Sequence, residues 1–445
     1  MINTRVAVPY QDQPVAPVQG YPVVSGQDQL IVPSQDPLID SGQDQSIDLM
    51  QPKMGVVHRV TWYLLVLMIF LIPWGEGVYD GLAKVVAMPT LGLSFVMLML
   101  EGTHRNYTFF NLFAVMLGAW FLVGVWWSPT PHYATEILRT YIMLILMSLM
   151  FTYLINGEYK FRVAYQAYVA GCLMATANIF YNFLNGIEGP YYARYTVENI
   201  ETDNMAILLA FGIPMAVWLY TQANHWAFKA LNVGAIPIIF YGIFLTGTRT
   251  GLVCGSIGVL YLAFTQRKAS FNLKMVYTGL AIGGAVAVVS LAPKKSVERI
   301  FSIGEAVASG DLNYRQVIWQ HTLSVWKENP ILGGGTGSLG HSLNSYYVNF
   351  EWAHNAYIQI LGENGLVGLA IYLMMIGSLL YYALKCQVET KFFLLTLWFT
   401  IFISQMTLHS QNLKEVWFVW SVIGVHGFYY SKKTARQRQL KALST

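Results

Sequence analysis

Residues 108–127 read TFFNLFAVMLGAWFLVGVWW, twenty residues in a row without a charge. A helix rises about 1.5 Å per residue, so this stretch matches the ~30 Å of hydrocarbon in a bilayer. Similar blocks recur on either side of it. Counting outward gives about twelve spans, at 60–73, 83–100, 108–127, 136–155, 163–183, 204–221, 230–246, 250–265, 275–292, 364–384, 392–409 and 416–430. The composition of the 445 residues agrees, with 55% hydrophobic and only 11% charged, where soluble domains carry about 25% charged. A water-soluble enzyme, a disordered chain and a collagen-like chain are excluded. The expected fold is an all-α polytopic integral membrane protein with about twelve transmembrane helices.

Loop charges orient these spans. Alternate connections hold Lys53 and Arg59, Arg105, Lys160 and Arg162, Lys229, then Arg267, Lys268 and Lys274, then Lys385 and Lys391, and Lys432, Lys433, Arg436, Arg438 and Lys441 follow the last span. The short connections on the other side hold only Arg194, Arg249 and Lys414. Basic residues stay on the cytoplasmic side, so both termini are expected there. The net charge of +4 is therefore a topology signal. No Lys/Arg cluster interleaves with aromatics as a nucleic-acid surface requires, and no nucleic-acid partner is expected. Cys172, Cys254 and Cys386 are far apart in or beside apolar blocks, which suggests neither a disulfide framework nor a thiolate metal site.

Residues 1–55 contain no block able to span or to form a core. Gln11, Gln19, Gln27, Gln35 and Gln43 recur every eight residues among Asp, Pro, Gly and Ser, a composition that cannot offset ordering entropy by burial. A disordered cytoplasmic tail is expected, either a spacer or a partner-binding arm, and not a signal peptide.

One connection is long. Residues 293–363 form an extracytoplasmic segment, and loops of that length are usually functional. Val297, Ile300, Phe301 and Val307 keep approximate helical spacing, as an amphipathic helix on the membrane surface would. A second helix is expected from Asn313 through Ile318, Trp319, Thr322, Leu323 and Trp326, stopping at Asn329 because the residue before Pro330 is pushed out of helical geometry. Gly333, Gly334 and Gly335 then predict a flexible turn. Gly335, Gly337 and Gly340 match the spacing of a dinucleotide fingerprint, but a helix rather than a strand precedes them, so the match is an accident. No Walker A loop, HExxH helix, paired CxxC or DxD carboxylate pair occurs, and neither a cofactor nor a metal is expected.

Several residues could carry chemistry. Arg249 interrupts two apolar blocks in TGTRTG (246–251) and either pairs with lipid headgroups or binds an anionic ligand brought close by the flanking glycines. Arg315 starts the second loop helix, where dipole and guanidinium together favour a phosphate; otherwise it is a solvated loop arginine. Lys294, Lys295 and Arg299 are read as headgroup anchors. His354 stands where the long loop re-enters the membrane, and it is either structural or a proton acceptor near neutral pH. Glu351, or Glu76 and Asp80 in the first extracytoplasmic loop, are other candidate bases. His409, beside Gln411 and Asn412, is a candidate for polar lining.

The ordered set TGTRTG, DLNYRQVIW (311–319), NPILGGGTGSLG (329–340) and AHNAYIQILGENGLVGL (353–369) resembles the bacterial O-antigen ligase and O-antigen polymerase family. The resemblance runs from roughly 200 to 410 and includes Asn204 at the start of a span ending in Ile213-Pro214. It implies a metal-independent glycosyltransferase of the integral-membrane, GT-C-like type in the bacterial inner membrane. Such an enzyme acts on the periplasmic side on a glycan carried by undecaprenyl diphosphate. By the same resemblance Arg249 and Arg315 take the diphosphate-binding positions and His354 the catalytic-base position, with Glu351, Asn355, Asn204 and His409 as substrate-lining candidates. The implied acceptor is lipid A–core in a ligase, or a second lipid-linked glycan in a polymerase. Some ligases have an acidic residue in the last extracytoplasmic loop. Here His409, Gln411, Asn412, Lys414 and Glu415 stand nearest, and nothing is carried over.

The expected organisation is a tail at 1–55, nine spans in 56–292, a periplasmic catalytic loop at 293–363, three spans in 364–430 and a basic cytoplasmic tail at 431–445. A flippase or transporter also fits twelve spans with both ends inside. The long loop and the lack of duplication between halves argue against it. A membrane scaffold would leave the arginines and the histidine unexplained.

Overall fold

The computed structural model describes residues 55–75, 81–101, 107–189, 194–267, 315–344 and 352–443, with positions 270, 290, 297 and 298. The tail expected at 1–55, apart from Gly55, lies outside the described residues. So do Glu76, Asp80, Lys294, Lys295, Arg299, Glu351 and all but two residues of the amphipathic helix expected at 297–307.

Described elements are helical throughout, without a strand among them. In chain order they are α1 (Val56–Leu71), α2 (Leu82–Glu101), α3 (Phe109–Gly124), α4 (Pro131–Leu154), α5 (Glu158–Leu184), α6 (Thr202–Gln222), α7 (Trp226–Leu245), α8 (Arg249–Thr265), α9 (Arg315–Glu328), α10 (Leu339–Asn344), α11 (Ala356–Lys385), α12 (Val388–Thr407) and α13 (Lys414–Leu443). Eight of them are long and apolar enough to cross a membrane, and α1 and α8 are shorter apolar helices. This is a polytopic helical membrane protein. All but one of the twelve expected spans coincide with a described helix, and the exception, 275–292, lies outside the described residues apart from position 290. Asn111 and Thr108 cap α3 reciprocally, which fixes where that span starts.

Two helices form the interior. In α6 every residue from Met205 to Leu219 is buried, among α5, α7 and α8. Small residues allow that closeness: a Cβ on Gly251 would stand 2.3 Å from Ala206 Cβ, and one on Gly212 2.8 Å from Cys172 Sγ. In α13, Trp417, Phe418 and Trp420 are buried against α4, α11 and α12. Its helix continues to Leu443, so the tail expected from 431 is helical for most of its length. All three cysteines are buried and free.

The bundle has two distinct ends. At one, Thr221, Gln222, Arg267, Lys391, Tyr430 and Arg438 surround a cavity of about 940 Å³. At the other, the first residues of α6, α8, α9 and α11 come together, as described below. Residues 267 and 315 thus lie at opposite ends.

α9 follows the predicted spacing, burying Ile318, Thr322 and Val325 and ending just before Asn329. The span expected from 364 begins earlier, at Ala356, and is interrupted at Gly365, where φ is 64° and ψ −166°. The Gly-rich segment after α9 is inserted into that interruption. A continuous helix would pair Leu366 N–H with the Gly362 carbonyl and Val367 N–H with the Glu363 carbonyl. Instead Leu366 and Val367 donate to the carbonyls of Pro330 and Ile331 at 2.9 and 3.3 Å, while Gly334 and Gly335 donate to those of Gly362 and Glu363 at 2.9 and 2.8 Å. Two helical bonds are exchanged for four across the seam.

The flexible turn expected at 333–335 is therefore a fixed joint. Glycine is needed there for space: a Cβ on Gly333, itself at φ +75°, would stand 2.4 Å from Gly365 N. Thr336 continues the joint by donating from its backbone to the Gly124 carbonyl at 3.2 Å and from its hydroxyl to that of Phe121 at 2.9 Å. Interrupted backbone within a membrane protein is tolerated where protein satisfies it, as here.

Candidate active site

The turn TGTRTG ends α7 and begins α8. Gly247, at φ +62°, makes the reversal, and Thr248 follows as the residue before α8. The Thr248 hydroxyl does not cap its own helix. It lies 3.0 Å from Asp203 Oδ1, in the first turn of α6, and 3.3 Å from Arg194 Nη2. Arg194 Nη2 donates to the same Asp203 Oδ1 at 2.9 Å and to the Gly247 carbonyl at 3.4 Å. A half-buried ion pair therefore fastens the turn to the mouth of α6, and Arg249 is the next residue along.

Arg315 opens α9 within the field of this pair. Burial lowers its pKa, Asp203 works against that and Arg194 adds to it; a guanidinium stays protonated throughout. One helical turn later, on the same face, Trp319 Nε1 donates to the Ala353 carbonyl at 2.9 Å. That contact brings His354 to the Arg315 helix. His354 is one of two non-glycine residues with positive φ among those described, at 48°, a conformation that carries strain. Burial and then Arg315 hold its pKa below the ordinary histidine value, with Asp203 partly offsetting them. The imidazole is thus neutral at neutral pH, and its buried Nδ1 has no hydrogen-bond partner among the described residues.

His409 faces it, with ring centroids 5.4 Å apart and planes nearly perpendicular. Trp352 stacks on His409 at 4.6 Å with an interplanar angle of 7°, and Tyr133 of α4 stands 6.2 Å from Trp352. Burial, His354 and Arg315 push the His409 pKa down to about 3, so this ring also stays neutral. Among the described residues no group of three His, Cys, Asp or Glu side chains is placed to hold a metal ion. The mouth thus combines Arg194, Arg249 and Arg315 with the carboxylates of Glu201 and Asp203, neutral imidazoles and an aromatic shelf. Its chemistry suits holding an anion and accepting a proton.

Residues 234–373 match the family model described as O-antigen ligase. This region is similar to the O-antigen ligase family. Arg249, Arg315, His354 and both sides of the backbone seam lie inside the ligase-family match. Arg194, Asp203 and His409 lie outside it. The chain is also 25% identical over 251 residues to an uncharacterised protein of Haemophilus influenzae, a match covering 51% of this chain and 59% of that protein. The match thus spans less than two thirds of that relative's length.

Within the ligase-family region and its partners, the structure sorts the expected site residues. His354, Arg315 and His409 are brought together, and Arg249 sits in the adjoining turn. Asn355 is not available to line a substrate. Its Oδ1 accepts from the backbone of Tyr357 and Ile358, capping α11, and its Nδ2 donates to the Met406 carbonyl. Asn204 pairs with Glu201 Oε2 at 3.4 Å, and its neighbour Asp203 makes the contacts at the mouth. The Arg194–Asp203 pair was not anticipated. Its signal was an acid in the first turn of a span facing a short loop with one arginine, which loop-charge counting had treated as topology alone.

Proposed function

We propose that the protein is a glycosyltransferase of the ligase type, acting on the periplasmic side of a bacterial inner membrane. It moves a glycan from undecaprenyl diphosphate to an acceptor hydroxyl on lipid A–core. The observation that carries this reading is the neutral His354 held against the Arg315 helix, inside the segment with the family match.

In the reaction, Arg315 and Arg249 neutralise charge growing on the departing diphosphate, a role suited to planar guanidinium groups. His354 takes the proton from the acceptor hydroxyl as that oxygen attacks the anomeric carbon. The bond from that carbon to the phosphate oxygen breaks, and its electron pair leaves with the diphosphate. A single displacement from the opposite face inverts the anomeric configuration. The proton ends on His354 and passes to water.

The test is transfer by the purified full chain. Supplied with a glycan on undecaprenyl diphosphate and with lipid A–core, it should release free carrier diphosphate and form glycan on the core. Extension of one lipid-linked glycan by another, with none on the core, would instead identify a polymerase. No release of carrier diphosphate with either acceptor would refute the transferase reading. Orientation is tested separately: Ser342→Cys should react with an impermeant thiol reagent from the periplasmic side, over three native cysteines that are buried.

A further inference from the structure

The motif AHNAYIQILGENG puts Gln359 and Glu363 on one face of α11, one turn apart, behind the His354 turn. Both side chains are buried. Gln359 Nε2 donates to Glu363 Oε1 at 3.2 Å, and Glu363 Oε2 accepts from the Gly337 backbone N–H at 3.3 Å. At the other end Gln359 Oε1 accepts from the Ala353 N–H at 3.3 Å. Ala353, the residue before His354, is therefore gripped on both sides: its N–H by Gln359 of α11, and its carbonyl by Trp319 of α9.

We propose that Gln359 and Glu363 are positioning residues, which set the His354 turn against the Arg315 helix through one hydrogen-bonded chain anchored in the Gly-rich loop. The proposal rests on the reading of His354 as the base.

The residue types fit that role. The chain needs a group that accepts from Ala353 and donates to its next neighbour, and among uncharged side chains of this length an amide does both. The neighbour must then accept on both sides, which a carboxylate does. Glu363 makes no ion pair among the described residues, so its place is not that of a buried salt bridge. Apolar side chains of the same volume would pack as stably in this position without fixing an orientation. The chain instead fixes the peptide leading into a residue at φ +48°, where His354 could otherwise relax.

Gln359→Met keeps the volume and removes both hydrogen bonds. A displaced catalytic group typically costs about 10² in rate per ångström, so turnover should fall about 10- to 100-fold. The Michaelis constant for the donor should change less than about threefold, because the arginines remain. His354 should ionise at higher pH in the variant, since both burial and Arg315 lower its pKa in the native turn. That shift is read twice, from the acid limb of the pH–rate profile and from histidine imidazole NMR of the purified full chain, assigned by difference with His354→Ala.

A folded Gln359→Met with unchanged His354 ionisation overturns the proposal, whether or not its rate falls, because a merely structural contact would give that pattern. If Gln359→Met is not recovered folded, Glu363→Gln carries the test: it sets an amide donor against a donor one link further back and should shift His354 in the same direction. If His354→Ala retains full activity, the reading of the base has failed, and the NMR shift alone then decides whether the chain positions this turn.

Discussion

Removing the Asp203 carboxylate should cost more stability than removing the carboxylate and its arginine together. In the native chain Arg194 Nη2 and Asp203 Oδ1 are 2.9 Å apart, with the side chains 7% and 25% exposed. Leaving a buried charge without its partner typically costs about 3 to 5 kcal/mol. The partial exposure of Asp203, and the Thr248 hydroxyl and Gly247 carbonyl still beside the guanidinium, reduce this to about 2 to 3 kcal/mol for Asp203→Ala. Arg194→Met/Asp203→Ala removes both charges from the same site and should cost only about 1 kcal/mol, since apolar replacement of a buried pair is often close to neutral. The coupling energy expected from the cycle is therefore about 2 kcal/mol or more. Equilibrium unfolding of the purified single and double variants in mixed micelles at fixed ionic strength measures it. A double variant no more stable than Asp203→Ala, or a coupling below about 0.5 kcal/mol, would show that the pair does not fasten the TGTRTG turn. The same variant carries a second sign: Asp203 raises the His354 pKa, so its removal should move the acid limb of activity to lower pH.

Arg315→Lys should lose about 10² to 10³ in transfer rate while remaining inserted and folded, because an ammonium does not reproduce the guanidinium fork; near-native transfer would leave Arg315 as a headgroup anchor. Wild-type activity should persist somewhat below the ordinary histidine range before it falls with pH, since His354 is held neutral there, and a limb above that range would contradict its environment. His409 is also held neutral, so folded-state stability should be complete above its ordinary value of 6.5 and decline as pH falls from there toward about 3, at up to about 1.4 kcal/mol per pH unit; His409→Asn should flatten that decline in the same unfolding assay. Gly365→Ala would put a Cβ 2.2 Å from the Ile331 carbonyl oxygen at a positive φ, which should open the seam at a cost of about 4 to 6 kcal/mol.

The spans were legible because a helix crossing hydrocarbon must be apolar for a known length, and that rule places α3 or α7 without any knowledge of neighbours. α13 shows its limit: the residues around Trp417 and Trp420 are apolar because they sit in the protein interior, and the charges that follow continue the same helix. At the site, Arg315 and His354 were readable as polar residues near a membrane boundary. Asn355 looked similar in the sequence, but helix capping consumes it. Asp203 was missed because its significance depends on Arg194, nine residues earlier, and on a turn more than forty residues later. The seam was missed for a related reason. Its bonds are between backbone atoms, and the only trace they leave in the sequence is glycine at Gly333 and Gly365, which reads equally well as flexibility.

The seam also bears on how the protein is made. Residues 356–385 can satisfy their own backbone as one uninterrupted span, since the bonds given up at the break are ordinary helical ones. Entry into the bilayer therefore need not wait for the Gly-rich loop, whose docking at the break supplies four bonds for two. On the proposed function, docking of the loop would then complete the mouth after insertion. Lesions in residues 330–338 should give chains that reach the membrane in the correct orientation, accumulate there, and never become competent.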